Sequence, residues 1–233
     1  MAGAAGEGGA APLRDVPEQV EIAERETIHE GYVWNVVSER FAFAGSELRR
    51  EFIDHTGAVA VLALDDEDRA LLIRQYRHPV RLRDWELPAG LLDEPGEAAL
   101  EAARRELAEE ADLTARDWSL LLDYFTTPGG SNESIRIFLA RGLEPTDAPF
   151  ERVHEEADME TRWVPIEELL EAVLANELHN PSLVVAALAA AHAKSRGWST
   201  LRDAEEPWPT RPQGPTAQGT ASQGAPAEAA SAE

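Results

Sequence analysis

Three glutamates, Glu106, Glu109 and Glu110, fall inside one short stretch, ARRELAEEADL, at residues 103–113. On a helix, residues three and four apart are surface neighbours, so Glu106 faces both of the others. Like charges at that spacing cost a few tenths of a kcal/mol per pair. A cation, a basic neighbour or solvent has to offset that repulsion. Convergent carboxylates suit a hard divalent ion such as magnesium, which takes its remaining ligands from water and substrate phosphates. A solvated acidic helix face is the alternative that the helix by itself leaves open.

The elements that must position these side chains can be read on either side of them. Leu100, Ala103, Leu107 and Ala111 recur at helical spacing and predict a helix over about 97–111, with the glutamates off the apolar stripe. Ahead of it, WELPAGLLDEPGE is a glycine-bearing loop that leads into the acidic helix. YVWNVVSERFAF and RREFIDHTGAVAVLAL have β-branched and aromatic character, with a buried strand expected around residues 58–64. The polar turn DDEDR separates that strand from ALLIRQYR, a pattern that predicts a hairpin. Further strands are expected at WSLLLDYF, SIRIFLA and ETRWVPI. Two helices follow, IEELLEAVLANEL and PSLVVAALAAAHAKS, the second with Asn180 as N-cap and Pro181 at its first position. Strands, a central helix, more strands and closing helices imply an α/β domain with a mixed sheet between helices.

Composition narrows the function. With 233 residues and 43% hydrophobic content, the chain can build one ordinary domain plus tails. It has no cysteine, which removes disulfides, thiol catalysis and cysteine-held metals. Residues 1–16 are Gly/Ala-rich and residues 203–233 are rich in Pro, Gly and Ala, so both read as disordered tails. Between them, residues 17–56 read as a strand region and residues 57–202 as the main domain. The 44 acidic residues against 21 basic give a formal charge of −23, a field that repels nucleic acid and anionic membrane. An anionic small molecule would need metal ions or clustered arginines to reverse that field locally. No basic start and apolar run of signal-peptide form is present, and no apolar run nears the ~18 residues of a membrane span. The expectation is a soluble cytoplasmic protein.

The run ELPAGLLDEPGEAALEAARRELAEEADL resembles the signature of the Nudix hydrolases, G-x5-E-x7-R-E-U-x-E-E-x-G-U with U apolar. Gly90 opens it, Glu97 matches its first glutamate, and Arg105, Glu106, Leu107, Ala108, Glu109 and Glu110 follow at the family's spacing. Leu113 closes it. Two departures stand out: six residues rather than five separate Gly90 from Glu97, and Asp112 replaces the usual glycine. Aspartate tolerates left-handed geometry better than most residues. WELPAG, Pro128 fifteen residues past Leu113, and HEEADM further resemble the ADP-ribose pyrophosphatases of this superfamily, in their actinobacterial form.

The resemblance implies a Nudix-type α/β/α sandwich with a mixed sheet plus an N-terminal antiparallel strand region. It implies magnesium, or manganese, held by the carbonyl of Ala89 and by Glu106 and Glu110, with Glu109 close by. Glu97 and Arg105 would pair to hold the loop on the helix. Glu156 in HEEADM matches the general base, with Glu155, Asp158 and Glu160 as rivals. Such a base is needed because an attacking water must lose its proton while the other carboxylates are occupied. Arg77 matches an arginine that meets the phosphates, where a guanidinium binds bidentately; a surface arginine beside a carboxylate is the alternative. Glu133 matches a glutamate near the terminal ribose. Trp34 matches a region that stacks on adenine, with core or dimer interface as its alternatives. The implied reaction is hydrolysis of ADP-ribose to AMP and ribose 5-phosphate, in a homodimer whose N-terminal strands cross to the partner. Other nucleoside diphosphates linked to a second moiety, or a non-catalytic ADP-ribose sensor, are the rivals.

Overall fold

The computed structural model describes residues 12–147 and 159–212. Its centre is β4 (Ala58–Ala63), whose six side chains are all buried. An uninterrupted apolar run of this kind belongs to a strand covered on both faces. Even-numbered Ala58, Ala60 and Leu62 pack on one side with Leu169, Leu183 and Ala186. Odd-numbered Val59, Val61 and Ala63 pack on the other with Leu100, Ala103 and Leu107. The period-two alternation of one strand therefore divides the core between α1 (Ala99–Ala111) and the pair α2 (Ile166–Leu174) and α3 (Pro181–Ser195). This is the expected α/β/α sandwich.

The sheet through β4 has five strands. In order they are β11 (Arg202–Asp203), β8 (Leu113–Phe125), β9 (Ser134–Pro145), β4 and β7 (Ala89–Leu91). The β4–β9 pair is parallel and the others antiparallel, so the sheet is mixed. The expected hairpin between β4 and β5 (Arg69–Arg77) is not formed. Only Leu64 and Ala70 bridge across the turn, and β5 then enters a second sheet, between β10 (Glu160–Pro165) and β6 (Leu82–Glu86). Both edges of β4 are already taken, by β9 and β7, so its sequence neighbour has to pair elsewhere.

The N-terminal strands β1 (Ile22–Glu30), β2 (Asn35–Phe43) and β3 (Ser46–Asp54) form a separate antiparallel sheet. It is tied to the domain where β3 ends. The Ile53 amide donates to the Gly130 carbonyl (2.9 Å), and buried Asp54 accepts from the Asn132 side chain (2.6 Å). The α3 start is as its sequence predicts: Asn180 Oδ1 accepts from the Leu183 amide at 3.1 Å, with proline in the first turn.

A second expectation is corrected. Residues 203–212 do not read as a tail in the structure. β11 pairs with β8, and Trp208 packs against the core cluster on the α1 side. Proline content hid this segment, because its anchoring comes from Trp208 and from contacts with distant Arg136 and Thr56 rather than from periodicity. Among the described residues no helix is long and apolar enough to cross a membrane.

Candidate active site

β7 and α1 bring the glutamates to one place. β7 is a three-residue strand whose Gly90 pairs with Val59 and whose Ala89 pairs with Ala60, so its backbone is fixed by the central strand. The second half of α1 lies over it. The Ala89 amide donates to Glu110 Oε2 at 2.8 Å. Glu106 lies against Gly90 so closely that a Cβ there would fall 1.8 Å from Glu106 Oε1. Glycine is required at this position because the carboxylate occupies the space of a side chain.

Arg105 answers the repulsion among the glutamates. Its Nε and Nη2 form a fork on Glu97 at 3.0 Å each, while Nη1 donates to Glu106 (2.5 Å) and Glu109 (3.2 Å). One guanidinium thus serves three carboxylates, and the predicted Glu97–Arg105 brace is present. Acidic partners hold the Arg105 pKa well above its ordinary value, the Glu97 hydrogen bonds foremost. Glu106 moves the other way from a paired acid: burial pushes its pKa above the usual carboxylate value, and Arg105 only partly opposes this. Glu106 is buried, whereas the sequence pattern put all three glutamates off the apolar stripe.

Both departures from the motif have a local explanation. Asp112 is the C-cap of α1 with φ 55° and ψ 34°, a left-handed conformation, and its amide reaches back to the Ala108 carbonyl. Here an aspartate adopts the geometry that glycine takes more easily. The loop between Gly90 and Glu97 turns at Gly96, whose φ is +82°. α1 begins at Ala99, beyond this loop, so the added residue lies outside the helix.

The remaining expected residues lie around this centre. Arg77 ends β5 and forks onto Glu86 at the end of β6, with both contacts at 2.7 Å. Glu86 is 3% exposed and was not singled out from the sequence. The signal was a lone acid in WELPAG at a strand end, with an arginine nearby on the preceding strand. Arg77 therefore has the carboxylate partner that was its alternative reading, and the charge of Glu110 also acts on it. Glu133 lies between β8 and β9, accepting from Thr126 Oγ1 (2.7 Å) with His55 Nε2 at 3.5 Å. Trp34 sits in the β1–β2 connection and is 41% exposed, so it is not a core residue of this chain. Glu155, Glu156 and Asp158 lie outside the described residues. Glu160 is exposed and pairs with Arg74.

Three comparisons with known proteins bear on this geometry. The NUDIX domain model matches residues 54–184, which contain β4, β7 and α1. The chain belongs to the Nudix family. Among its relatives, an ADP-ribose pyrophosphatase of Mycobacterium tuberculosis is 42% identical over 193 residues, covering 82% of this chain and 92% of that protein. An ADP-ribose pyrophosphatase of Bacillus subtilis is 34% identical over 164 residues, covering 70% and 87%. A solved structure described as an ADP compounds hydrolase superposes with a TM-score of 0.64 at 23% identity, covering 79% of this Nudix chain and 99% of that one; this likeness concerns the fold.

The Nudix site can be tested for a cation by its own donors. Carboxylates of Glu106 and Glu110 meet the backbone of Ala89 and Gly90, so the available ligands are all hard oxygens, the type magnesium prefers. Among the described residues, no three Asp, Glu or His side chains stand ready as a complete cation cage. Glu106 and Glu109 share Arg105, and Glu110 holds the Ala89 amide. The donor set fits magnesium in chemistry, with substrate phosphates needed to complete it.

Proposed function

We propose that this Nudix enzyme hydrolyses the diphosphate of ADP-ribose to AMP and ribose 5-phosphate. The observation that carries the reading is the meeting of Glu106 and Glu110 at Ala89 and Gly90, in a chain 42% identical to an ADP-ribose pyrophosphatase over 92% of that protein's length. Glu106, Glu110 and the Ala89 carbonyl would hold magnesium, or manganese in its place, with Glu109 beside them. Bound there, the ion supplies neutralisation of the diphosphate charge and lowers the pKa of the attacking water.

The protein's own residues do the rest. Arg105 and Glu97 keep the loop on α1, so the Gly90 backbone and the two carboxylates hold a fixed spacing before substrate arrives. Arg77, oriented by Glu86, directs its charge toward the phosphates while its fork remains on that carboxylate. Glu156 takes the proton of water as its oxygen bonds to phosphorus and the bridging P–O bond breaks, its electrons leaving with the other phosphate. Glu133 meets the terminal ribose, and Trp34 stacks on adenine. A second copy of the chain docks through the N-terminal sheet. In support, β1 is exposed along its whole length, and Ile22 and Ile28 on it and Tyr32, Val33 and Trp34 just after it present apolar surface.

The test is chromatographic. With magnesium, ADP-ribose should be converted to AMP and ribose 5-phosphate in equal amounts, and neither should form in chelator or in Glu156→Gln. Intact ADP-ribose after prolonged incubation with metal would end this reading.

A further inference from the structure

The segment after α3 reaches the active-site loops through one turn. Arg136 on β9 is 3% exposed and forks onto Asp123 at 2.8 Å on both arms. Its remaining donors go to the carbonyls of Glu206 (2.6 Å) and Pro207 (3.4 Å). Trp208 then lies over the Arg136 guanidinium at 4.7 Å, with Arg211 on the same ring at 5.8 Å. Such cation–π contacts gain strength when desolvated. Arg211 finally donates to the Thr56 carbonyl at 2.9 Å, across 155 residues of chain.

Thr56 begins the junction from which both site loops hang. The Gly57 carbonyl accepts from the Leu92 amide (3.0 Å), two residues beyond Gly90. The Gly57 amide donates to His55 Nδ1 (3.0 Å), and the His55 amide donates to Asn132 Oδ1 (2.7 Å), one residue before Glu133. Gly57 has φ +85° and a Cβ there would lie 3.2 Å from the Ser134 carbonyl, so the turn packs closely on the start of β9 and requires glycine. The strap also walls two clefts. One of about 460 Å³ lies between Glu97, Leu100 and Glu101 of the motif region and Arg136, Trp208 and Arg211. Another of about 330 Å³ lies between Pro128 and Trp208.

We propose that residues 204–212 are a positioning strap for the active site, in which Trp208 and Arg211 lock the turn at Thr56 and Gly57 and thereby fix the loop that follows Gly90 and the loop that carries Glu133. This rests on the functional reading above for its effect on turnover. It makes Trp208 and Arg211 positioning residues that act through Thr56 without touching substrate.

The experiment compares full-length Trp208→Ala and Arg211→Gln with wild type at a temperature where circular dichroism shows all three folded. Two quantities are read: kcat and KM for ADP-ribose, and hydrogen exchange of peptides covering residues 88–98 and 126–133. Misplacing the loops should lower kcat about tenfold, since an error of an ångström in a reacting group costs as much or more. The Leu92 amide, and the Asn132 amide that donates to the Ile53 carbonyl at 3.2 Å, should exchange faster. Arg211→Gln removes one hydrogen bond and keeps the variant set informative if Trp208→Ala does not fold. Unchanged kcat and unchanged loop exchange, with only a lower melting temperature, would overturn the proposal and leave the strap as a plain staple. Exchange is measured without substrate. A wild type that fails to cleave ADP-ribose would therefore refute the functional reading alone, with the strap still judged by loop exchange.

Discussion

Gly90→Ala separates catalysis from stability at a single methyl group. The new Cβ would lie 1.8 Å from Glu106 Oε1 and 1.9 Å from its carboxyl carbon, whereas real Cβ contacts essentially never fall below 3.0 Å. The carboxylate must therefore retreat from 1.8 Å to beyond 3.0 Å, a displacement of about 1.2 Å. The backbone itself permits alanine, because Gly90 is not among the left-handed glycines. Glu106 is the end of a flexible side chain, so the fold can absorb the clash. Overpacking costs roughly 1–3 kcal/mol, and reduced freedom of the unfolded chain returns roughly 0.4–1 kcal/mol. The net loss of about 1–2 kcal/mol corresponds to a fall of roughly 2–8 °C in melting temperature for a domain of this size. Catalysis suffers more: an ångström of misplacement at a reacting centre costs on the order of 100-fold in rate. Steady-state kinetics on ADP-ribose at saturating magnesium, with a melting curve of the same sample, read both effects. A variant with near-wild-type kcat would refute the placement of the Glu106 carboxylate at the reacting diphosphate.

Further predictions follow from the same geometry. Glu110→Gln keeps an acceptor for the Ala89 amide but removes the charge, so the fold should persist while kcat falls at least about 100-fold, as for loss of one preorganised electrostatic group. Retained turnover in magnesium would exclude Glu110 as a metal ligand. Burial raises the Glu106 pKa above its ordinary value, so the folded state binds its proton more readily than the unfolded state. That stabilisation is present at low pH and is lost as pH rises through the folded pKa. Glu106→Gln in chelator should accordingly melt higher than wild type at pH 7–8. The difference should shrink as pH falls toward 4.5, and a variant that melts lower at pH 7–8 would contradict the sign. Arg77→Ala leaves Glu86 buried without its fork. Water can reach the vacated side because Arg77 is half-exposed, so the loss should lie near the lower end of the range for a broken buried pair, about 3 kcal/mol. Chemical denaturation reads that loss, and a change under 1 kcal/mol would show that the Arg77–Glu86 pair contributes little.

Particular residues show what was legible in the sequence and what was not. The motif could be read because its chemistry lies within one loop and one helix, where helical spacing gathers Glu106, Glu109 and Glu110 and the family resemblance implies the pairing of Glu97 with Arg105. Asp112 could be anticipated as a left-handed cap because backbone preference is local. Partners fixed by strand pairing could not. The Arg77–Glu86 fork depends on β5 and β6 lying side by side, and the failure of β4 and β5 to form a hairpin depends on β9 and β7 having taken both edges of β4. Periodicity put all three glutamates outside the core, yet β7 covers Glu106 because glycine leaves room for it. The strap was the largest omission. Proline and glycine suggested a tail, while the contacts that hold residues 204–212 come from Arg136 and Thr56, far away in the chain.

The measurement that tests the central claim most directly is kcat/KM across ADP-ribose, ADP-glucose, NADH, GDP-mannose and oxidised dGTP, with magnesium and with chelator. The account predicts that ADP-ribose leads by at least about tenfold, a difference near 1.4 kcal/mol, and that all rates vanish in chelator. A higher kcat/KM for any other member, or full activity in chelator, would contradict it.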